Sequence, residues 1–547
     1  MQNVYQTSPP LTPSSPVPAD LSSALQEIQG TLGSSSDLVM KTFTCLKRWP
    51  AALVYMDGFV DQQLLHESIL RSLLRRDDEV SRLIQLRDDE RLSYIEHEVL
   101  IAADTKRIDT MGALFTDLMS GCVMLLLDGS AVVLRIGAVG WEDRSISEPN
   151  SQAVVRGPME GFNENLRTNM TLIRRRIKDP ELWTETREIG RVTKTSVAIV
   201  FHRQIADASV VEEVRRRLDK IDIDGILESG YIEEFIQDTQ RTIFPTVYNS
   251  ERPDTVAAAL LEGRVAILVD GTPFVLLVPA LFVQFFQSAE DYYQRADIST
   301  LLRIIRYLAF FIAMLAPSFY IAISTFHQEM LPTSLLISVA AQREGVPFPA
   351  FIEALLMEVT YEILREAGVR IPKTVGQAVS IVGTLVIGQA AVDAGVVSAA
   401  MVIIVSITAI SSYVIPENGL SISVRIIRFV LMALAASFGL FGILLGLLML
   451  VIHLTSLRSF GVSYMSPYGP YVAGNLKDTF YRVPWPAMRT RPATANPRNL
   501  HRQGIDIQHQ HRESGESYGA SANNREAGSG DRAVADVDRL LGATRAE

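Results

Sequence analysis

The spacing of hydrophobic and polar positions divides the chain into two unlike parts. Up to about residue 295, short apolar runs alternate with amphipathic stretches, which is typical of the strands and helices of an α/β domain. From about residue 301 the apolar runs approach twenty residues, enough to cross a bilayer as a helix. The pattern predicts an α/β part followed by an α-helical membrane part.

The α/β part contains a pattern that occurs twice. Residues 123–134 and 265–278 are pairs of apolar runs, each joined by an Asp-Gly dipeptide, and the two dipeptides lie 142 residues apart. Asp-Gly between strand-like runs indicates a β-hairpin, because both turn residues tolerate positive φ. An amphipathic helix ending at Gly121 or Gly263 precedes each hairpin at the same offset. We therefore expect two tandem duplicated α/β cytosolic subdomains.

Composition sets the remaining boundaries. The Pro/Ser-rich start and the Gly, Ser, Asn, His and Arg mixture at the end of the chain bury too little apolar surface to offset the entropy of ordering. We predict a disordered tail (1–36), a first α/β subdomain (37–145), a helical connector (146–194), a second α/β subdomain (195–295), a transmembrane helical domain (296–460), a basic cytosolic segment (461–495) and a disordered polar tail (496–547).

The connector has a helical pattern with a basic end. Asn163 or Asn165 is placed to cap its start, and residues 174–176 are three consecutive arginines. Such a cluster is a solvated helix face, a salt-bridged strut between domains, or a contact for anionic lipid headgroups. Lipid contact is the least frequent of these, because basic clusters are common on soluble helices.

Four segments are candidate transmembrane helices: 301–323, 375–395, 396–415 and 421–454. The last is about 50 Å long as one helix, so it is either a steeply tilted span or two helices joined near Ser437. Basic residues precede the first span and follow the last, which places both termini in the cytosol and makes the number of crossings even. Four spans plus a half-inserted helix at 351–368 fit best, and six is the alternative.

Two of these segments carry candidate functional residues. Glu358, Glu362 and Arg365 share one face of the 351–368 helix, and they either face the interior of a helix bundle or lie at the membrane surface. The 375–395 helix carries a stripe of small and weakly polar residues that either lines a pore or packs against another helix. The members of this stripe are Gln377, Ser380, Thr384 and Gly388.

Charge, cysteine content and motif content exclude several other classes of protein. The net charge of −10 gives no basic footprint for nucleic acid, and two cysteines form neither a disulfide framework nor a zinc-ligand pattern. The start of the chain has no signal-peptide pattern. Walker, Rossmann, zincin and GxSxG motifs are missing from the sequence. We therefore expect a non-enzymatic protein without catalytic residues, metal ligands or a cofactor.

Long stretches between about residues 30 and 500 resemble the A subunits of the GerA-type spore germinant receptors. The resemblance rests on RGPMEGFNENLRTNMTLIRRRIKDP, on FPTVYNSERPDTVAAALLEGRVAILVDGTPFVLLVPALFVQFFQSAEDYY, and on SFYIAISTFHQEMLPTSLLISVAAQREGVPFPAFIEALLMEVTYEILREAGVRIPKTVGQAVSIVG. It implies a multi-pass protein of the spore inner membrane that acts with a transporter-like, germinant-binding B subunit and a lipoprotein C subunit.

The resemblance further implies a homo-oligomeric ring of about five copies that conducts monovalent cations. On that basis Gln377, Ser380, Thr384 and Gly388 would line the pore, Val379 or Val382 would form a hydrophobic gate, and Glu358, Glu362 and Arg365 would form a charged vestibule. A scaffold that clusters partner subunits without conducting is the alternative. A transporter ranks last, because the membrane segments show no convincing inverted repeat.

Overall fold

The structure is a computed structural model that describes residues 15–74, 88–100, 104–140, 148–149, 152, 154–370, 388–492 and 497–502. The chain separates into two compact units. The larger comprises residues 1–482 together with 492–498, and the smaller comprises residues 483–491 together with 499–547. The larger unit contains all the elements described next.

The first α/β region is a five-stranded antiparallel sheet with helices on both sides. The strand order is β1-β2-β4-β5-β3, and every residue of the central strand β4 is buried. The elements are α1 (Leu21–Thr31), β1 (Leu38–Cys45), β2 (Trp49–Met56), a π-helical segment (Leu64–Leu70) continued by α2 (Arg71–Leu73), α3 (Asp88–Tyr94), β3 (Thr105–Ile108), α4 (Met111–Leu118), β4 (Cys122–Leu127) and β5 (Val133–Gly137).

The second α/β region has the same arrangement of strands. Its antiparallel sheet has the order β6-β7-β9-β10-β8, which matches the first sheet strand for strand. The elements are α5 (Leu166–Arg176), β6 (Leu182–Ile189), β7 (Thr195–His202), α6 (Ala208–Leu218), α7 (Ser229–Ile236), β8 (Tyr248–Ser250), α8 (Pro253–Leu261), β9 (Val265–Val269) and β10 (Val275–Val278).

The Asp-Gly turns anchor a helix in the same way in both regions. The backbone N–H of Leu21, the first residue of α1, donates to Asp128 Oδ1 at 3.3 Å. The N–H of Leu166, the first residue of α5, donates to Asp270 Oδ1 at 3.1 Å. In each region, the helix that precedes the sheet is therefore tied to the Asp-Gly turn.

These helices correct two predicted boundaries. The prediction of disorder for residues 1–36 is wrong for α1, because Asp20 caps this helix and both Ala24 and Ile28 are fully buried in the first core. The prediction of a separate connector over 146–194 is wrong for α5 and β6, which belong to the second region. A few apolar positions in this polar stretch are enough to dock α1 in the core. The prediction of disorder used the average composition of residues 1–36, which does not show these positions.

A bundle of helices follows the second sheet. It consists of α9 (Ala296–Thr325), α10 (Thr333–Arg343), α11 (Ala350–Arg370), α12 (Gly388–Asp393), α13 (Ala399–Val414) and α14 (Asn418–Ser456). Two of these helices, α9 and α14, are long and apolar enough to cross a membrane, and α13 is a shorter apolar helix. The bundle occupies the region in which the sequence predicts a transmembrane domain.

Helix α14 is a hairpin of two arms. Gly439 has φ 60° and ψ −138°, which breaks the helix. A Cβ atom at Gly442 would lie 2.2 Å from the carbonyl oxygen of Leu434, and one at Gly446 would lie 2.5 Å from Leu431 Cδ2. Residues fifteen apart in a continuous helix are about 22 Å apart, so these contacts require the chain to reverse. The alternative of two helices joined near Ser437 is confirmed.

Both ends of this hairpin lie beside the second α/β region. Ser423 Oγ in the first arm donates to the carbonyl oxygen of Ile243, and His453 Nε2 in the second arm lies 3.0 Å from Thr242 Oγ1. The turn at Gly439 lies against His327, just beyond α9. We call the α/β side of the bundle its near side and the side of the Gly439 turn its far side.

Residues 457–482, which follow α14, pack back onto the near side. Strands β11 (Arg458–Ser459) and β12 (Val462–Ser463) form a short antiparallel pair. Tyr464 and Arg482, in the segment predicted to be basic and cytosolic, are both buried. In the smaller unit, the N–H of Arg491 donates to the carbonyl oxygen of Leu500 at 2.8 Å. The predicted polar tail lies outside the described residues after Arg502.

Candidate functional site: a charged cluster inside the helix bundle

Five charged residues of α11 and α14 form the central polar feature of the bundle, and we call them the charged cluster: Glu358, Glu362, Arg365, Arg425 and Arg428. Glu358 Oε2 lies 3.0 Å from Arg428 Nη2, and the two side chains are 0% and 1% exposed. A buried carboxylate and guanidinium compensate each other's loss of solvation only when they are paired. The pair therefore fixes α11 against the first arm of α14.

Glu362 lies one helical turn further along α11 and contacts both arginines of α14. It forms an ion pair with Arg425, and its Oε1 lies 3.4 Å from Arg428 Nη2. The guanidinium of Arg365 lies 5.4 Å from the ring centroid of Tyr413 on α13, a cation–π distance. The cluster therefore joins three helices.

The spacing of these residues explains why they meet. Two carboxylates four residues apart share one face of α11, and two arginines three residues apart share one face of α14. The sequence analysis identified Glu358, Glu362 and Arg365 but missed Arg425 and Arg428. The available signal was that two arginines within an apolar run require partners inside the bundle.

The central ion pair keeps unused hydrogen-bonding capacity. Among the residues that the structure describes, neither oxygen of Glu358 has a hydrogen-bond partner by distance and angle, nor do Nε and Nη1 of Arg428. Buried polar atoms without partners are costly, about 1–3 kcal/mol each. The cluster thus concentrates charge in the bundle and leaves some of its hydrogen-bonding groups without partners among the described residues.

The predicted pore and gate residues lie largely outside the described part of the chain. Gln377, Val379, Ser380, Val382 and Thr384 fall within residues 371–387, which the structure does not describe. The exception is Gly388, the first residue of α12, which is buried. A pore role for this stripe stays a prediction.

A second charged site lies where α9 meets the α/β part. Arg303 is fully buried, with Nε 2.9 Å from Asp291 Oδ2 and Nη1 2.7 Å from Asp478 Oδ1. Arg306 also contacts Asp291, at 2.7 Å. Burial raises the pKa of Asp478, and Arg303 opposes this rise. These ion pairs connect the end of the second region, the start of α9 and the segment after α14.

Two carboxylates, those of Glu233 and Glu417, lie near the base of the hairpin. Glu233 on α7 is half-buried, and Glu417 caps α14 by accepting the N–H of Leu420 at 2.7 Å. Burial, followed by the charges of Glu417 and Glu228, raises the pKa of Glu233 to about 7. The α/β part therefore carries, near the base of the hairpin, a group that titrates near neutral pH.

The arginine cluster of α5 is ion-paired. Arg174 pairs with Asp37 of the first region and is 2% exposed, and Arg176 Nη2 lies 2.6 Å from Glu160 Oε2. The strut interpretation is confirmed for Arg174. A cavity of about 440 Å³ lies beside α5, and its lining includes Arg167, Arg175 and Asp61.

Metal ligation has no support in the described part of the chain. No group of three or more His, Cys, Asp or Glu side chains is placed there to hold a metal ion. Among the described residues, the two cysteines, Cys45 and Cys122, are free thiols and buried.

Known proteins resemble the chain over most of its length. The sequence profile of the Bacillus/Clostridium GerA spore germination protein matches residues 26–494. Spore germination protein KA of Bacillus subtilis (strain 168) is 49% identical over 488 residues, which are 89% of this chain and 88% of that protein. Spore germination protein GerLA of Bacillus cereus is 38% identical over 475 residues, 86% of this chain and 95% of that protein.

A solved structure matches about half of the chain. It is the crystal structure of the N-terminal domain of the A subunit of the Bacillus megaterium spore germinant receptor GerK3. Its sequence is 40% identical, it covers 49% of this chain and 98% of its own, and the TM-score is 0.40. The match of the family profile over most of the sequence shows that this chain belongs to the Bacillus/Clostridium GerA family of spore germination proteins.

Proposed function

We propose that the chain is the A subunit of a nutrient germinant receptor of the spore inner membrane, and that it forms an oligomeric ion channel releasing monovalent cations. The observation that carries the proposal is the buried charged cluster in a bundle that includes two helices long enough to span a membrane. Charged residues inside membrane bundles most often serve transport or gating. Membership in a spore germination family supports the biological setting.

The proposed topology has six crossings with both termini in the cytosol. Helix α9 and the two arms of α14 run between the near and far sides. Helices α11 and α13 each return from the far side to the near side, as the contacts of Glu353 with Ser398 and of Ser421 with Ser412 support. The helix predicted at 375–395, most of which lies outside the described residues, would give the sixth crossing.

The proposed cation path follows the helix at 375–395. Gln377, Ser380, Thr384 and Gly388 would line it, and Val379 or Val382 would gate it by dewetting. Glu358, Glu362 and Arg365 would form the charged vestibule. Arg428 neutralises the buried Glu358, and Glu362, whose side chain is 24% exposed, is paired with Arg425, so a cation would compete with this arginine for the Glu362 carboxylate.

The proposed partners are a germinant-binding B subunit and a lipoprotein C subunit. The related proteins named above are spore germination proteins, which supports a place in the same type of complex. The matching strand orders of the two sheets support an origin of the α/β part by tandem duplication.

Spores provide the direct test. The receptor genes would be expressed in a strain that lacks its own receptors, and potassium release would be followed after nutrient addition. Val382→Ala should lower the nutrient threshold by widening the gate, and Thr384→Leu should slow release by blocking the lumen. Val430→Ala, at a position 57% exposed on α14, is the matched control. Unchanged release in both test variants would reject this helix as the pore.

A non-conducting scaffold is the second candidate function. The pairing of Glu358 with Arg428 favours it, because a neutralised pair stabilises a bundle without attracting ions. Purified chain reconstituted with its B and C subunits in potassium-loaded liposomes separates the two candidates. A nutrient-dependent efflux supports the channel, whereas intact subunit assembly without efflux supports the scaffold.

A further inference from the structure

Helix α9 marks where the hydrocarbon of the proposed membrane ends on the near side. The stretch from Tyr307 to Phe326 contains no charged residue, and a helix of this length extends about 30 Å, the thickness of a hydrocarbon core. Arg303 and Arg306 lie in the turn before it. The hydrocarbon therefore ends at Tyr307, and Arg303 lies about 6 Å beyond it.

The second arm of α14 marks the boundary independently. Its exposed apolar side chains extend from Leu444 to Ile452, which are 64% and 59% exposed. The polar residues His453, Thr455 and Ser456 come next. The apolar surface of this arm therefore ends at Ile452.

Residues 465–482, which we call the interfacial segment, contact both helices at this boundary. The ring centroid of Phe480 lies 4.7 Å from that of Tyr307. A Cβ atom at Gly469 would lie 3.9 Å from Cγ2 of Thr455. The headgroup layer extends about 5–8 Å beyond the hydrocarbon on each side, so the interfacial segment lies at the depth of the headgroups.

Buried contacts hold the interfacial segment at this depth. Arg303 Nη1 lies 2.7 Å from Asp478 Oδ1, and the hydroxyl of Tyr292 donates to Asp478 Oδ2 at 2.7 Å. The hydroxyl oxygens of Tyr307 and Tyr468 are 3.0 Å apart. Because these contacts fix one face of the segment against α9 and the residues before it, the other face has a fixed place on the surface of the protein.

The uncovered face carries residue types that are enriched where lipid meets water. Tyr471, Phe480 and Tyr481 are 72%, 47% and 47% exposed, and Lys477 is exposed. A tyrosine has an apolar ring and a polar hydroxyl, so it fits between acyl chains and headgroups. A lysine likewise has an apolar stem, and its ammonium group reaches lipid phosphate. The composition of this face matches its depth.

We propose that the interfacial segment lies in the headgroup layer of the near-side leaflet, with Tyr471 and Tyr481 in contact with phospholipid. The inference rests on the proposed membrane location of the bundle and adds a lipid contact outside the membrane-spanning helices. Exposed apolar side chains at a fixed place in a fold mark a contact surface, and the depth of this surface assigns lipid as its occupant. Through Asp478 and Arg303 the segment connects the membrane surface to α9.

Spin labelling of the full chain in lipid nanodiscs measures the depth of the segment. Tyr471→Cys and Tyr481→Cys would each carry a nitroxide in discs of phosphatidylcholine and phosphatidylglycerol. Oxygen concentrates in lipid and a nickel chelate stays in water, so we expect collisions with the chelate to be several-fold rarer at both positions than at a water-exposed site. The native thiols should stay unlabelled, because both are buried and burial raises the pKa of Cys45 to about 12.

Two control positions bracket the expected depth. Val192→Cys provides the water-exposed site, because Val192 is 79% exposed in the turn between β6 and β7. This turn lies at the end of the sheet opposite to Val278, where the chain leaves toward α9. Ile452→Cys, at a position 59% exposed, provides the lipid site and should collide mainly with oxygen.

The combination of results separates this inference from the proposed function, and no reading requires ion flow. If the labels at 471 and 481 meet the chelate as often as the Val192→Cys label while the Ile452→Cys label lies in lipid, the interfacial segment is overturned and the membrane bundle is kept. An aqueous Ile452→Cys label would reject the membrane location and the inference with it. Labels at 471 and 481 that neither reagent reaches would show a protein contact and overturn the lipid contact.

Discussion

Arg174 and Asp37 form a buried ion pair between the two α/β regions. The side chains are 2% and 3% exposed, and Arg174 Nη2 donates to Asp37 Oδ1 at 2.9 Å while Nε donates to the second carboxylate oxygen. The same guanidinium lies 3.3 Å from Ser35 Oγ. A two-pronged contact of this kind fixes both distance and angle between the regions.

Removal of either partner should destabilise the protein strongly. Arg174→Leu or Asp37→Leu leaves a buried charge unpaired, which costs about 3–5 kcal/mol. The double variant Arg174→Leu/Asp37→Leu should lose less unfolding free energy than the two single variants together, because no charge remains buried. Thermal unfolding of the full chain in detergent measures the three losses. Arg295→Leu, at an exposed position, is the control, and additive losses would contradict the pairing.

The Glu358–Arg428 pair should behave in the same way inside the bundle. Glu358→Gln leaves Arg428 buried beside a neutral amide and should lower the melting temperature and the amount of chain in the membrane. Glu358→Gln/Arg428→Gln should recover part of both. Glu366→Gln, at a position 65% exposed on the same helix, should change neither value. A double variant worse than both singles would show that the two charges do not act as a pair.

The hairpin in α14 should depend on Gly442. Gly442→Ala introduces a methyl group within 2.2 Å of the Leu434 carbonyl oxygen, so the two arms must separate. We expect a loss of several degrees in melting temperature. Gly368→Ala, at a glycine of α11 with open space around its Cβ position, is the matched control and should be neutral or stabilising. Equal behaviour of both variants would contradict the close approach.

The stability of the protein should depend on pH through Glu233. Its pKa of about 7 exceeds the ordinary 4.5, so between these values the folded chain holds a proton that the unfolded chain has released. The stability that this bound proton contributes is fully present below about pH 4.5 and is lost as the pH rises through 7. The free energy of unfolding falls by at most about 3 kcal/mol before solvent screening.

Melting temperatures at pH 5 and pH 8 test this dependence. Glu233→Gln should reduce the difference between the two, and Glu234→Gln, its exposed neighbour, should leave the difference unchanged. An unaltered pH dependence in Glu233→Gln would assign the effect to other groups.

Periodicity and turn chemistry alone predicted the local elements. The Asp-Gly hairpins, the helices that end at Gly121 and Gly263, the Asn165 cap and the long α9 follow from interactions between residues close in sequence. The two-arm alternative for α14 was also available, because a single helix of that length exceeds one crossing. Each of these signals depends only on residues close in sequence, so a single sequence is enough to detect it.

Only the tertiary structure decided which distant groups meet. Asp37 pairs with Arg174 and Glu358 with Arg428 across 137 and 70 positions, and nothing local in a sequence specifies such a partner. The docking of α1 likewise depends on a core built by other segments. The sequence determined which residues carry charge and which faces are apolar, and packing decided which charges are neutralised and which apolar faces stay open to a partner.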